Sequence, residues 1–152
     1  MLFAFVPIRA QSGEVKVVSF SALDSLYRNR SEDTTYVVHF FASWCRSCML
    51  EFAKQRPIFS ELRQNLKVKI VLVSLDFKRN YEKNLVPALA KYQIAETVYL
   101  LDESNPNTWI PKIDPTWSGA LPATLLVNKA FKKPLFFEGV VTSSTLKKHL
   151  PQ

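Results

Sequence analysis

The chain has 152 residues, of which 47% are hydrophobic and 22% charged, and it contains only three glycines. This length and composition are typical of one globular domain, and they exclude a disordered or repetitive chain. The net charge is +7, but the basic residues are scattered along the chain rather than gathered on one helix. We therefore expect a solvated positive surface that attracts acidic partners weakly, and no nucleic-acid partner.

The first twelve residues, MLFAFVPIRAQS, begin with an apolar run that is too short to span a bilayer. They lack the basic start of a secretory signal, so two interpretations stay open. The segment is either the remnant of a signal peptide with a cleavage site near Ala10 and Gln11, or an arm lying on the domain. We prefer the remnant, which would place the protein outside the cytoplasm, and we divide the chain into segment 1–12 and domain 13–152.

A nearly apolar run at 35–43, rich in β-branched and aromatic residues, predicts a central strand buried on both faces. The next helix is predicted to begin at or just after Cys45 and to run toward Leu62, with an interruption at Pro57. Further strands are predicted at 14–20, 68–76, 96–102, 123–128 and 134–140, the last two as a hairpin. Further helices are predicted from Ser21, with Ser21 or Asp24 near the start, at 80–92 with a kink near Pro87, and at 142–150 with Thr142 or Ser143 as N-cap.

Segment 103–119 is rich in Pro, Asn and Trp, and it predicts a helical turn flanked by loops. Strands that alternate with helices, followed by a hairpin and a last helix, predict an α/β fold with a mixed sheet.

The only two cysteines, Cys45 and Cys48, could form a metal site, a structural staple or a reacting pair. A zinc site needs four ligands, and the two histidines, His39 and His149, fall in a predicted strand and in the last helix. Covalent haem would need a histidine where Met49 stands. A disulfide across two residues closes a very small loop and therefore constrains the unfolded chain little.

The third interpretation, a reacting pair, has the strongest physical basis. Cys45 is predicted at the first turn of a helix, where unpaired N–H groups and the helix dipole stabilise a thiolate. Cys48 follows one turn later, close enough to attack back on a mixed disulfide. The two residues therefore predict a redox dithiol that needs no metal and no diffusible cofactor.

Two motifs carry a resemblance to a known family. A buried strand followed by FFASWCRSC and a helix, and much later SGALPATLLV, resembles the thioredoxin fold from about Thr35 to Leu150. The stretch WCRSCMLE is more specifically similar to the TlpA/ResA-like thiol–disulfide oxidoreductases of bacterial envelopes. The resemblance implies a thioredoxin-like α/β fold with a central mixed sheet flanked by helices.

The resemblance also implies roles for individual residues. Cys45 would be the exposed nucleophile and Cys48 the buried resolving thiol. Pro122 occupies the position of the family's cis-proline, which would turn the backbone of Leu121 toward an extended peptide substrate. The alternative is a trans proline that merely starts an edge strand.

Three tryptophans surround these motifs. Trp44 is expected to cover one side of the dithiol and to offer an apolar docking surface. Trp117 is expected to line the substrate groove, whereas Trp109 is expected to pack in the interior.

Glu51 follows Cys48 by three residues, so it is predicted on the same helix face. Members of the TlpA/ResA-like group carry a glutamate there, and it would accept the proton of Cys48 during resolution. The alternative is a solvent-facing glutamate paired with Lys54 or Gln55. His39 stands where thioredoxins carry a buried aspartate, and we assign it no catalytic role.

We therefore expect a thiol–disulfide oxidoreductase that reduces protein disulfides in the bacterial envelope, acts as a monomer and is re-reduced by an upstream membrane dithiol donor. One alternative is a docking or assembly module that keeps the fold without the chemistry. Another is a copper-delivery relative, which would need a further histidine or methionine beside the dithiol; Met49 is predicted on a different helix face.

Overall fold

The computed structural model describes residues 13–28 and 33–150, so segment 1–12 lies outside the described residues. The strands of the described part are β1 Val15–Val18, β2 Thr35–Phe41, β3 Val68–Ser74, β4 Val98–Leu101, β5 Ala123–Val127 and β6 Leu135–Glu138. Its α-helices are α1 Phe20–Arg28, α2 Arg46–Gln64, α3 Tyr81–Lys91, α4 Pro106–Ile113 and α5 Ser143–His149. A 3₁₀ turn, Lys78–Asn80, precedes α3. None of these described helices is both long and apolar enough to cross a membrane.

The strands form one mixed sheet in the order β1-β4-β3-β2-β5-β6. The first four strands in this order pair in parallel, and β5 and β6 add to them antiparallel. Every residue of β2 is buried, because β2 lies between β3 and β5 and both its faces are covered. The predicted central strand, the closing hairpin and the α/β fold with a mixed sheet are confirmed.

The alternation of side chains along β2 assigns the helices to the two faces of the sheet. Tyr36, Val38 and Phe40 pack with residues of α1 and α4. Val37 and Phe41 point the other way and pack with residues of α2, α3 and α5. His39 has the same parity as these last two, so the strand directs it toward α2.

The predicted interruption of α2 at Pro57 is wrong, because the helix runs without a break to Gln64. A proline inside a helix removes one hydrogen bond and costs about 3 kcal/mol. The buried face of α2 continues across Pro57 through Ile58, Phe59 and Leu62, and burial of each such side chain contributes roughly 1.5 to 3 kcal/mol. The apolar face therefore outweighs the local cost.

Hydroxyl side chains cap the first turns of α1 and α5. Helix α1 begins earlier than expected, since the backbone N–H of Ala22 donates to the Ser19 hydroxyl at 3.3 Å. Ser19 therefore occupies the capping position, and Ser21 lies near the start of the helix, as predicted. The capping role of Thr142 at α5 is confirmed, because its hydroxyl accepts from the N–H of Thr145 at 3.2 Å.

Segment 103–119 contains more helix than the single turn that was predicted. Helix α4 has eight residues. It begins with Pro106 at its first position, which suits a residue without an N–H. Asn105 caps it, its side chain accepting from the N–H of Asn107 at 3.1 Å.

Candidate active site

The two cysteines lie where β2 passes into α2, and their sulfur atoms form a disulfide. Cys45 is the N-cap residue of α2, and its sulfur accepts a hydrogen bond from the N–H of Cys48 at 3.2 Å. The hydroxyl of Ser47 lies 3.4 Å from the same sulfur. When the disulfide is opened, negative charge on this sulfur would therefore face the positive end of a 19-residue helix.

The two cysteines differ in their exposure to solvent. Cys45 is 8% exposed and borders an open cleft, whereas Cys48 is fully buried at 0%. Cys45 thus lies at the floor of the cleft and is less exposed than the sequence suggested. The asymmetry remains as predicted, because only Cys45 can meet a bulky partner.

The cleft above Cys45 has a volume of about 580 Å³. Its walls come from the start of α2 and from the loop before β5, and its lining residues are Trp44, Cys45, Arg46, Ser47, Leu50, Gly119, Ala120 and Leu121. Trp44 is 63% exposed, and Leu50 is exposed as well. An apolar rim with one sulfur at its floor suits an extended peptide that carries a reactive sulfur.

The loop that faces the dithiol contains a cis peptide bond between Leu121 and Pro122. Leu121 lines the cleft and packs against the buried cluster that contains both cysteines. The carbonyl of Pro122 accepts from the N–H of Gly139 at 2.8 Å, which ties the loop to the end of β6. Of the two residues predicted for substrate binding at this loop, Leu121 lines the same cleft as Cys45, and Pro122 supplies the cis bond that follows it.

Glu138 on β6 anchors the loop before β5 through Ser118. Its carboxylate accepts from the backbone N–H of Ser118 at 3.2 Å and from the Ser118 hydroxyl. Both hydrogen bonds favour the charged carboxylate, and they lower the pKa of Glu138 below its usual range. At neutral pH this carboxylate is therefore ionised and holds the loop.

Trp117 does not line the cleft, so the prediction that it forms a wall of the substrate groove is wrong. It is only 5% exposed, and its ring lies 4.9 Å from Phe40 and 5.7 Å from Trp109, measured between ring centroids. Its indole N–H donates to the carbonyl of Ala120 at 2.9 Å. A large apolar residue beside a sheet is buried more favourably than it is exposed, so Trp117 supports the loop from the core. Trp109 is buried as expected.

Glu51 is buried, with 3% of its surface exposed, so the alternative of a solvent-facing glutamate is wrong. Its Oε1 accepts from the backbone N–H of Val141 at 3.1 Å and from the Gln55 amide at 3.2 Å. The same amide also donates to the carbonyl of Val141. Glu51 therefore joins α2 to the segment before α5, beneath the turn of helix that carries Cys48.

The second carboxylate oxygen of Glu51 faces His39, a contact that the sequence did not suggest. Oε2 of Glu51 and Nε2 of His39 are 3.2 Å apart. The other ring nitrogen, Nδ1, lies 3.0 Å from the hydroxyl of Thr124 on β5. The alternation of side chains along β2 could have placed His39 on the face that α2 covers. Which residue of α2 faces His39 could be learned only from the structure.

Asp76, just after β3, was missed entirely. Its carboxylate is buried and accepts from the N–H of Ser43 at 2.8 Å, from the Ser74 hydroxyl at 2.7 Å and from the Ser43 hydroxyl. Ser43 lies two residues before Cys45, so Asp76 fixes the turn that leads into the dithiol. Parallel neighbours β2 and β3 end at the same edge of the sheet. The polar residues Ser74 and Asp76, at and just after the end of a buried strand, could have indicated this.

Asp76→Ala is expected to lower the free energy of unfolding by about 1–3 kcal/mol, because it leaves the buried groups of Ser43 and Ser74 without an acceptor. Denaturant unfolding measures the loss, and the rate at which iodoacetamide alkylates reduced Cys45 reports the altered turn. Asp76→Asn keeps one acceptor oxygen and should lose less. Equal stabilities for all three proteins would contradict this role.

Groups of three or more His, Cys, Asp or Glu side chains that could hold a metal ion are not found within residues 13–28 and 33–150.

The chain is similar to known proteins in sequence and in fold. No protein-family model matches the sequence. Thioredoxin Y2, chloroplastic, of Arabidopsis thaliana is 32% identical over 127 residues, which cover 82% of this chain and 64% of that protein. The chain thus spans less than two thirds of the length of this relative.

Solved structures give the fold. A thioredoxin-related protein from Neisseria meningitidis serogroup B superposes with a TM-score of 0.62 at 19% identity, covering 80% of this chain and 84% of that one. A DsbF homologue from Corynebacterium diphtheriae gives 0.56 at 20% identity, covering 82% and 73%. The chain has the thioredoxin-like fold, with a disulfide of C-x-x-C spacing at the start of α2.

Proposed function

We propose that this protein is a thiol–disulfide oxidoreductase that reduces disulfides in other proteins. The observation that carries the proposal is the asymmetric disulfide at the start of α2, with one sulfur at the floor of an apolar cleft and the other fully buried. A structural disulfide has no need for that asymmetry, whereas two sequential sulfur attacks do.

In the proposed cycle the Cys45 thiolate attacks a substrate disulfide, forms a mixed disulfide and releases one substrate thiolate. The buried Cys48 thiol then attacks Cys45, and the second substrate sulfur leaves. The proton of Cys48 goes to Glu51, which is buried one helical turn further along α2. The oxidised pair is re-reduced by an upstream dithiol, for which we propose a membrane protein.

The redox centre of this cycle is the Cys45–Cys48 pair itself, so no diffusible cofactor takes part. Substrate proteins would dock on Trp44 and on the backbone at Leu121 and Pro122, where the cleft is open. We propose that the protein works as a monomer, since a single chain supplies both cysteines and both walls of the cleft.

For the compartment we propose the bacterial cell envelope. The support is the likeness of WCRSCMLE to the TlpA/ResA-like group and the bacterial origin of the structures with a similar fold. The Arabidopsis relative carries a chloroplast name, which favours a different compartment. Fractionation of cells that express the complete gene product separates the two, and recovery of the protein only with cytosolic markers would contradict an envelope location.

Reduction of insulin by dithiothreitol tests the activity, because catalysis speeds the appearance of the precipitating B chain. We expect acceleration by the wild-type protein and none by Cys45→Ser, which lacks the nucleophile but keeps the cleft. A Lys132→Gln variant, an exposed change on the loop between β5 and β6, serves as control. A wild-type rate equal to that of Cys45→Ser would contradict the proposed function.

The direction of electron flow is tested by the reduction potential of the Cys45–Cys48 couple in glutathione or dithiothreitol buffers. A reductant is expected to lie near the value of about −270 mV that thioredoxin has, or below it. A value near about −120 mV, as in the strong oxidant DsbA, would contradict a reducing role.

A further inference from the structure

A buried histidine–carboxylate pair lies between β2 and α2, on the face of the sheet that α2 covers. His39 comes from the middle of β2 and Glu51 from α2, and their facing atoms, Nε2 and Oε2, are 3.2 Å apart. The two side chains are 3% and 1% exposed. Within the described residues neither facing atom forms a hydrogen bond of good geometry, with each other included. The pair is therefore a close electrostatic contact between two buried polar atoms.

The surroundings of the pair contain few other polar groups. The rings of Phe41, Phe52 and Phe59 lie within 6.5 Å of the His39 ring, measured between centroids. On the neighbouring strands, His39 pairs in register with Leu72 of β3 and Thr124 of β5.

The remaining contacts of Glu51 are with the uncharged Gln55 side chain and the backbone N–H of Val141. Two titratable side chains of α2 are three residues from Glu51: Cys48, which is buried, and Lys54, which is exposed to solvent.

This setting determines how the pair can carry charge. A lone carboxylate among aromatic rings would lose several kcal/mol of solvation, and it would take up a proton instead. Here two N–H groups bond Oε1, and a neutral His39 with its proton on Nε2 makes a favourable electrostatic contact with Oε2. In that tautomer Nδ1 accepts the hydroxyl proton of Thr124. The pair then bears one negative charge, and uptake of one proton makes it neutral.

We propose that His39 and Glu51 act as one proton acceptor for Cys48, in which Glu51 receives the proton and His39 shares it across the contact between Nε2 and Oε2. This inference rests on the proposed function. In the resolving step the bond between Cys45 and Cys48 forms while the bond between Cys45 and the substrate sulfur breaks. The electron pair leaves with the substrate thiolate, and the proton of Cys48 passes to the pair.

The reverse transfer completes the cycle. When the upstream dithiol attacks Cys45, Cys48 leaves as a thiolate and regains the proton from the pair. Cys48 has no exposed surface, so a proton store on the same buried face avoids the need for a water path at each turnover. Uptake of the proton also removes a buried net charge at the moment when the new disulfide forms.

The aromatic disulfide DTNB separates the two sulfur attacks in a stopped-flow experiment on the reduced protein. The first phase, attack by Cys45, depends on DTNB concentration, and the second, attack by Cys48, does not. We expect Glu51→Gln to slow the second phase about 100-fold, a typical contribution of a general base, and to flatten its pH profile. The first phase should be unchanged.

His39→Gln is the sharper variant, because glutamine can still donate one hydrogen bond toward Glu51 but cannot take up a proton. We expect it to slow the second phase by about tenfold and to alter its pH profile. The double variant should be no slower than Glu51→Gln alone, since two groups that act as a unit are not additive. His149→Gln, at the exposed end of α5, is the matched control.

Each outcome decides the inference. A second phase in His39→Gln within twofold of the wild type, with Glu51→Gln slow, would show that Glu51 acts alone and would overturn the pair. A double variant slowed by the product of the two single effects would overturn it as well. If the wild-type protein shows no second phase while Cys45 still reacts, the proposed function fails at the resolving step, which is a distinct result.

Discussion

Cys48→Ala is expected to turn the protein into a covalent trap. Cys45 keeps its cleft and its place at the start of α2, so it still attacks a substrate disulfide. The mixed disulfide then persists, because no buried thiol remains one helical turn away to expel the second substrate sulfur. Intact-mass measurement after incubation with two peptides joined by a disulfide should show one peptide chain bound to Cys45. Turnover of insulin should fall to the uncatalysed rate.

The matched control is Cys45→Ala, which removes the proposed nucleophile and keeps the proposed resolving thiol. Cys45→Ala leaves only Cys48, which has 0% exposure, so adducts should be absent or form far more slowly. Adducts on Cys45→Ala at the wild-type rate, and none on Cys48→Ala, would reverse the assignment of nucleophile and resolving thiol. The comparison is sharp because the two residues differ in burial rather than in chemistry.

The parts of the site that lie in one stretch of sequence could be predicted from it. The run around β2 has an apolar pattern that belongs to a doubly covered strand, and the cysteines follow it at the spacing of one helical turn. The start of a helix bears a partial positive charge that stabilises a thiolate there. A local pattern thus predicted the strand, the helix and the position of Cys45 at the first turn.

Contacts between distant segments could not be predicted in the same way. His39 meets Glu51 only because α2 packs over the face of β2 on which odd-numbered residues lie. Asp76 meets Ser43 because β2 and β3 are parallel and end together. Neither the packing of a helix on a sheet nor the order of the strands can be read from local periodicity.

The burial of Trp117 could not be predicted from its position in the sequence. Its nearness in sequence to Pro122 suggested a position in the cleft. Its burial was decided instead by Phe40, Trp109 and Phe136, which come from three separate elements. An aromatic ring gains more from such a cluster than from solvent. Its influence on the loop is exerted through the hydrogen bond to the carbonyl of Ala120.

Phe52→Ala is expected to lower the free energy of unfolding by about 3–5 kcal/mol, as deletion of a buried phenylalanine generally does. Phe52 is buried on α2, and its ring centroid lies 4.9 Å from Phe41 and 5.8 Å from Phe59. Denaturant unfolding followed by circular dichroism measures the change as a shift of the midpoint at constant slope. Leu66→Ala, at a side chain that is 94% exposed, should change stability by less than about 0.5 kcal/mol.

Phe52→Ala also tests whether the aromatic surroundings of the His39–Glu51 pair affect proton transfer from Cys48. The Phe52 ring meets the His39 ring edge to face at 5.3 Å, so its loss opens space beside Nε2 of His39 and Oε2 of Glu51. Water that enters this space would solvate the pair and offer Cys48 another proton acceptor. Phe52→Leu, which fills most of the space, should lose less stability and keep the wild-type pH profile of Cys48 attack. A Phe52→Ala protein with wild-type stability would contradict the placement of this ring in the core.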